Sequence, residues 1–156
     1  MRFAMIITVI TGIVLLVLNI FCAQFSRNLF YRSKQVTMVE KAMLVAEEMG
    51  DADVLTAETA AEVVKRLGGA DTTRLLVTDT AGRVLYDSAA ATPGNQYALY
   101  PQIVRALDGH DIFTWRYSRG VIQAETAIPI IGYDSISGCL YMLELDVEQG
   151  RFIQTL

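Results

Sequence analysis

The sequence predicts an α+β protein: an N-terminal transmembrane helix continuing into a long helix, then a five-stranded antiparallel sheet with helices on one face. Three observations carry this expectation. No charged residue interrupts Phe3 to Phe25, and 18 of those 23 positions are apolar. Apolar spacing stays helical and free of proline as far as Met49, where Gly50-Asp51 supplies a stop. From Arg74 onward the pattern changes to a period of two, so the elements read helix, helix, two strands, helix, three strands.

The N-terminal run, at 1.5 Å per residue, reaches about 35 Å, enough for a hydrocarbon core of about 30 Å. A cleaved signal peptide has a shorter apolar region of about 7–15 residues closed by a small-x-small site. Neither feature fits here. Phe21 before Cys22 argues against lipoprotein processing, and a pilin-like reading lacks the Gly-Phe site and the early Glu it needs. Residues 1–26 therefore read as an uncleaved signal anchor. This run also explains the composition, 53% apolar beside 19% charged, as the average of a span and an ordinary globular domain. A disordered tail and a polytopic transporter are excluded, and two cysteines build no disulfide framework.

Residues 27–50 read as a helix leaving the membrane. Cys22, Leu29, Val36 and Met43 recur every seven residues, with Phe25, Val39 and Ala46 at the second seam position and Arg32 interrupting it. This is a coiled-coil-like stripe suited to a homodimer, in which Cys22 would face its twin. The alternative is that the stripe packs on the chain's own sheet, and one helix can do both. Thr56 to Leu67 reads as a second helix with a capping box of Thr59 and Glu62 and an end at Gly68-Gly69.

The strands Arg74–Thr80 and Arg83–Ser88 are joined by Asp79-Thr80-Ala81-Gly82, the pattern of a type I turn in a hairpin. Asp79 and Asp87 are expected to serve turn chemistry in solvent rather than to act as acid and base. After a loop through Pro93-Gly94-Asn95, Pro101 opens a short helix that ends at Gly109. The strands Asp111–Ser118 and Val121–Ile131 flank a two-residue turn, Arg119-Gly120. That turn pairs Tyr117 with Ile122, Trp115 with Ala124 and Phe113 with Thr126, and leaves Thr114, Arg116, Ser118, Gln123 and Glu125 on a wetted face. A loop Gly132–Gly138 leads to the last strand, Cys139–Val147, and a further helix starts near Glu148.

No catalytic constellation is visible: the sequence has one histidine and no G-x-S-x-G, P-loop or H-E-x-x-H. His110 reads as a turn residue and Cys139 as a small buried hydrophobe. No metal site and no cofactor are expected. Past the span, 12 basic residues stand against 17 acidic ones, a net charge of −5 that disfavours nucleic acid. The basic residues Arg27, Arg32 and Lys34 suit anionic lipid headgroups.

The segments LLVTDTAGRVLYDS, LYPQIVRALDGHDIF, the strand ending AIPI, and GCLYMLELDVEQGRFIQTL together resemble the extracytoplasmic sensor region of bacterial membrane sensor histidine kinases. That region is PAS-like, of the PDC or Cache type. The resemblance covers essentially the whole chain. It implies a PAS-like sensor domain over residues 51–147 and, over 148–156, the start of a helix toward a second span. It also implies a place in two-component signal transduction and a position outside the bacterial cytoplasmic membrane, with a single pass in this chain. The positive-inside count alone, with Arg2 before the span and Arg27, Arg32 and Lys34 after it, points the other way. No HAMP linker or kinase core lies in these residues, so this chain is not expected to be an enzyme. It reads as the front of a longer receptor or a truncated product.

PAS-like architecture further implies a small-molecule pocket between sheet and short helix. Tyr117 and Thr126 on the inner face, with Tyr97, Tyr100 and Arg105 opposite, are its candidate lining. The alternative is that Tyr117 and Thr126 are ordinary core residues and Arg105 a solvated charge. A second functional expectation is a membrane-anchored protein-docking module without a small-molecule ligand.

Overall fold

The computed structural model describes residues 2–52, 54–67, 73–90, 96–119 and 121–146. The chain divides into two compact units between Val36 and Thr37. Helix α1, Arg2–Gly50, is continuous. Among the described residues it is the one helix long and apolar enough to cross a membrane, over Met5–Ser26, and no part of that stretch is buried by protein. Inside it the Thr11 hydroxyl donates to the Ile7 carbonyl at 2.9 Å, so the polar side chain is satisfied within its own helix. Phe21 and Phe25 stack one turn apart at 6.3 Å.

The second unit is built on a five-stranded sheet ordered β2-β1-β5-β4-β3, every pair antiparallel. The strands are β1 Arg74–Asp79, β2 Val84–Asp87, β3 Ile112–Ser118, β4 Val121–Gly132 and β5 Ser135–Asp146, accompanied by α2 Ala57–Leu67 and α3 Pro101–Leu107. This is the α+β, PAS-like class expected from the sequence. Successive strand residues point to opposite faces, so Leu75 and Val77 belong to one core and Leu76 to another. On the first face Met38, Ala42, Val45, Ala46 and Met49 of α1, at helical spacing, pack with Ala60, Val63 and Val64 of α2 over Leu75, Val77, Leu140 and Met142. On the second face Ile103 and Ala106 of α3, with Ala98, cover Leu76, Ile112, Ala127, Cys139 and Tyr141.

The helices therefore occupy both faces, where the sequence suggested one. The cause is visible in β1, whose consecutive Leu75, Leu76 and Val77 are all buried. A strand covered on both sides carries an unbroken apolar run rather than an alternating one.

Local chemistry accounts for the element ends. At the β1–β2 turn, Asp79 Oδ1 accepts from the backbone N–H of Ala81 at 2.9 Å and of Arg83 at 2.8 Å. Gly82 there takes φ +79°, which spares an L side chain the left-handed conformation. The capping box of α2 lies one turn earlier than Thr59 and Glu62. Thr59 N–H donates to Thr56 Oγ1 at 3.2 Å and Thr56 N–H to Thr59 Oγ1 at 2.9 Å. Thr56 is thus the cap, and a hydroxyl replaces the carboxylate usual at the third helical position. Helix α3 opens on Pro101 and closes at Gly109, φ +88°.

The β3–β4 register is the expected one, with Tyr117 opposite Ile122, Trp115 opposite Ala124 and Phe113 opposite Thr126. The expected loop Gly132–Gly138 is instead mostly strand. Gly132 pairs with Ser135, so Tyr133 and Asp134 alone make the turn and β5 begins at Ser135. The helix end at Gly68-Gly69, the loop at Pro93-Gly94-Asn95 and the helix from Glu148 lie outside the described residues.

Candidate functional site

The α3 side of the sheet carries the polar constellation. One row of cross-strand partners runs Thr114, Glu125, Leu143, Arg74 from β3 to β1, and the next runs Ile112, Ala127, Tyr141, Leu76, Asp87 from β3 to β2. Leu143 is half-buried and stands between Arg74 and Glu125, which are two strands and so roughly 9–10 Å apart at the backbone.

At one end of the row Arg74 grips Asp87 with two parallel bonds, Nε to Oδ1 at 3.0 Å and Nη2 to Oδ2 at 2.6 Å. The Asp87 side chain is 2% exposed and that of Arg74 17%. The bonds to Asp87 raise the Arg74 pKa above its ordinary value, against the opposing effect of burial. Asp87 is therefore neither a solvated turn residue nor a free acid, contrary to the sequence expectation. Asp79 does serve the turn.

At the other end the Glu125 carboxylate accepts from two neutral amides: Gln102 Nε2 of α3 on Oε2 and Gln123 Nε2 on Oε1. Between the ends the Tyr100 and Tyr141 rings meet at 5.6 Å, tilted by 47°. Burial, then the negative charge of Glu125, pushes the Tyr141 hydroxyl above its ordinary range. Cys139, beneath the same surface, is pushed by burial up to about 12.

These two shifts set a pH dependence. Each group is protonated when folded, so its contribution is complete below the unfolded pKa, about 8.5 for Cys and about 10 for Tyr. It is lost as pH rises from there through the folded value. The thermal midpoint is expected to fall above roughly pH 9. Tyr141→Phe should make that alkaline decline shallower without abolishing it, because the Cys139 share remains. An unchanged pH profile in Tyr141→Phe would contradict the assignment.

The sequence-predicted lining residues do not share one site. Tyr117 and Thr126 lie on the sheet face that α1 and α2 cover, the side of Phe113, Trp115 and Ala124. Thr126 is fully buried, and its hydroxyl donates to the Ile112 carbonyl at 2.9 Å, the role of an ordinary core threonine. Tyr97, Tyr100 and Arg105 lie with α3 and the segment before it. Tyr97 sits under the Arg83 guanidinium at 5.9 Å, and Arg105 is exposed. Only Tyr100 joins the polar constellation. Arg74, Asp87, Gln102, Gln123, Glu125 and Tyr141 were missed. The alternation along β4 did place Gln123 and Glu125 on one face, but only the docking of α3 makes that face a site.

Of the seven-residue stripe, Cys22, Leu29, Val36 and Met43 are exposed, whereas Ala46 of the second seam position is buried in the first core. His110 is exposed beside the turn after α3.

No protein-family model matches this chain, and no curated protein sequence does. Solved structures do. An extracellular ligand-binding receptor from Desulfohalobium retbaense is similar over 80% of this chain and 25% of its own, at 12% identity and TM-score 0.58. The Escherichia coli DcuS sensor domain is similar over 77% of this chain and 96% of its own, at 17% identity and TM-score 0.51. The sensor domain of the Vibrio cholerae histidine kinase DctB is similar over 78% of this chain and 55% of its own, at 19% identity and TM-score 0.51. This chain thus spans a quarter of the first protein and about half of the third. At these identities the likeness is one of fold: a PAS-like sheet of the kind found in sensor and receptor domains.

Proposed function

We propose that this chain is the extracytoplasmic signal-sensing region of a two-component sensor histidine kinase, anchored in the bacterial cytoplasmic membrane by Met5–Ser26 and receiving a small molecule on the α3 face. The observation that carries this reading is the division of labour across the sheet. A half-open polar constellation occupies one face, and the C-terminal part of α1 is packed on the other. The shared fold with sensor domains supports it. A ligand drawn between α3 and the sheet acts on β5 and β4, the strands over which α1 lies. Signalling requires that two arrangements of the unit differ in affinity for that ligand.

The same reading makes the protein a homodimer through Cys22, Leu29, Val36 and Met43, and places output in a kinase core outside these residues. Alkaline phosphatase fused after Leu156 is expected to be active outside the cytoplasm. An inactive phosphatase fusion together with an active β-galactosidase fusion at the same position would remove the exported-sensor reading. Metabolite-dependent shifts in the unfolding temperature of the full chain in nanodiscs are expected as well. A flat screen would favour the docking-module alternative. Single cysteines at 29, 36 and 43, introduced into a Cys22→Ser chain, should cross-link in membranes. Failure at all three would count against the dimer seam.

A further inference from the structure

We infer that the α3-face site takes an organic cation, an amine or quaternary ammonium, seated against the Glu125 carboxylate and the exposed ring of Tyr100, which packs on Tyr141. This rests on the ligand-sensing reading above and adds the charge of the ligand. The constellation holds one cation and two anions, but they are not equivalent. Arg74 directs two N–H groups at the two oxygens of Asp87, so this bidentate pair is electrically closed. A carboxylate ligand at Arg74 would compete with a buried aspartate already in place.

Glu125 differs. Its partners, the Gln102 and Gln123 amides and the Tyr141 hydroxyl, are all neutral and orient the carboxylate without neutralising it. Arg74 is two strands away behind Leu143; its guanidinium reaches the Tyr100 hydroxyl, but its charge is matched by Asp87. Arg116, beside Gln123 on the same face, is exposed, and among the described residues no cation forms an ion pair with Glu125. Beside this charge stand two tyrosine rings, one half-exposed. An anion next to aromatic faces is the chemistry that holds ammonium groups. After burial, the charge of Glu125 is the next cause of the upward shift of the Tyr141 hydroxyl, with Arg74 opposing it. A metal ion is a poorer occupant. Hard cations want six or more oxygens, and among the described residues no three His, Cys, Asp or Glu side chains converge.

The test is isothermal titration of the full chain in nanodiscs with choline, putrescine and succinate. At least one of the two ammonium probes is expected to bind. Glu125→Gln, which keeps the size and the amide partners' geometry, should weaken that binding tenfold or more and improve succinate relative to the wild type. Tyr100→Leu, at a half-exposed position less able to disturb folding, should weaken ammonium binding severalfold. Equal ammonium affinity in the wild type and Glu125→Gln would overturn the site. Binding of succinate alone would overturn the cation inference while leaving ligand sensing intact. Failure of all three probes would overturn the cation inference, and the metabolite screen above would then decide ligand sensing separately.

Discussion

Asp87→Ala is expected to destabilise the sheet unit by about 3–5 kcal/mol, the cost typical of breaking a buried pair by removing one partner. For a unit of this size that lowers the unfolding temperature by roughly 10–20 °C. Asp87 accepts two bonds from Arg74 and a third on Oδ1 from the backbone N–H of Ala89 at 3.1 Å. Its loss leaves a guanidinium that is largely out of water and cannot shed its proton to escape the penalty. Asp87→Asn, which keeps an acceptor for Ala89 but not the charge, should fall between Ala and wild type. The double variant Arg74→Met, Asp87→Leu should recover most of the stability, because well-packed apolar side chains often replace a buried pair without loss. Thermal and urea unfolding of all four proteins check this. A single-variant loss under about 1 kcal/mol would mean that the pair is effectively solvated.

The same pair shows where sequence reasoning stopped. Periodicity was sufficient for α1, and the Asp79-x-x-Gly82 signature for the first hairpin. The Arg119-Gly120 turn set the β3–β4 register correctly because no irregularity intervenes. In the first hairpin the register shifts between Val77 and Thr78, so Leu76 faces Asp87 while Thr78 faces Val84. Continued without a shift from the pairing of Thr78 with Val84, the ladder would set Leu75 opposite Asp87; the bulge sets Leu76 there and so brings Asp87 to the face of Arg74, since a slip of one residue exchanges the faces. Strand parity did place Tyr117 and Thr126 together. It could not say that α3 crosses to the opposite face, which depends on packing between elements distant in sequence. For α1, a seven-residue stripe and a core-facing stripe overlap on one helix. Met38, Ala42, Val45, Ala46 and Met49 face the sheet, and Leu29, Val36 and Met43 stay uncovered.

Gly138→Ala should be at least as damaging, about 3 kcal/mol or more, by overpacking against a backbone that has nowhere to go. A Cβ at this position would lie 2.1 Å from the Thr78 carbonyl oxygen and 2.7 Å from Leu55 Cδ2. Gly138 is paired with Asp79 on one side and Ile130 on the other, so β5 cannot retreat from β1 without disturbing β4. The glycine also lies beside the irregularity between Ile130 and Ile131, which explains why a segment rich in Gly and Ser reads as loop yet forms strand. Two controls separate close approach from a generic glycine effect. Gly12→Ala has nothing within 4 Å and should be tolerated, whereas Gly109→Ala, at φ +88° but with its nearest neighbour at 3.7 Å, should cost about 1 kcal/mol. Adding Leu55→Ala to Gly138→Ala should not restore stability, because it removes the flexible neighbour and leaves the carbonyl. Full rescue would show that the side chain set the limit and that the β1–β5 spacing is adjustable. That spacing matters beyond stability: β1 carries Arg74 and β5 carries Tyr141 and Leu143, so any movement that accommodates the methyl also moves the two sides of the site apart.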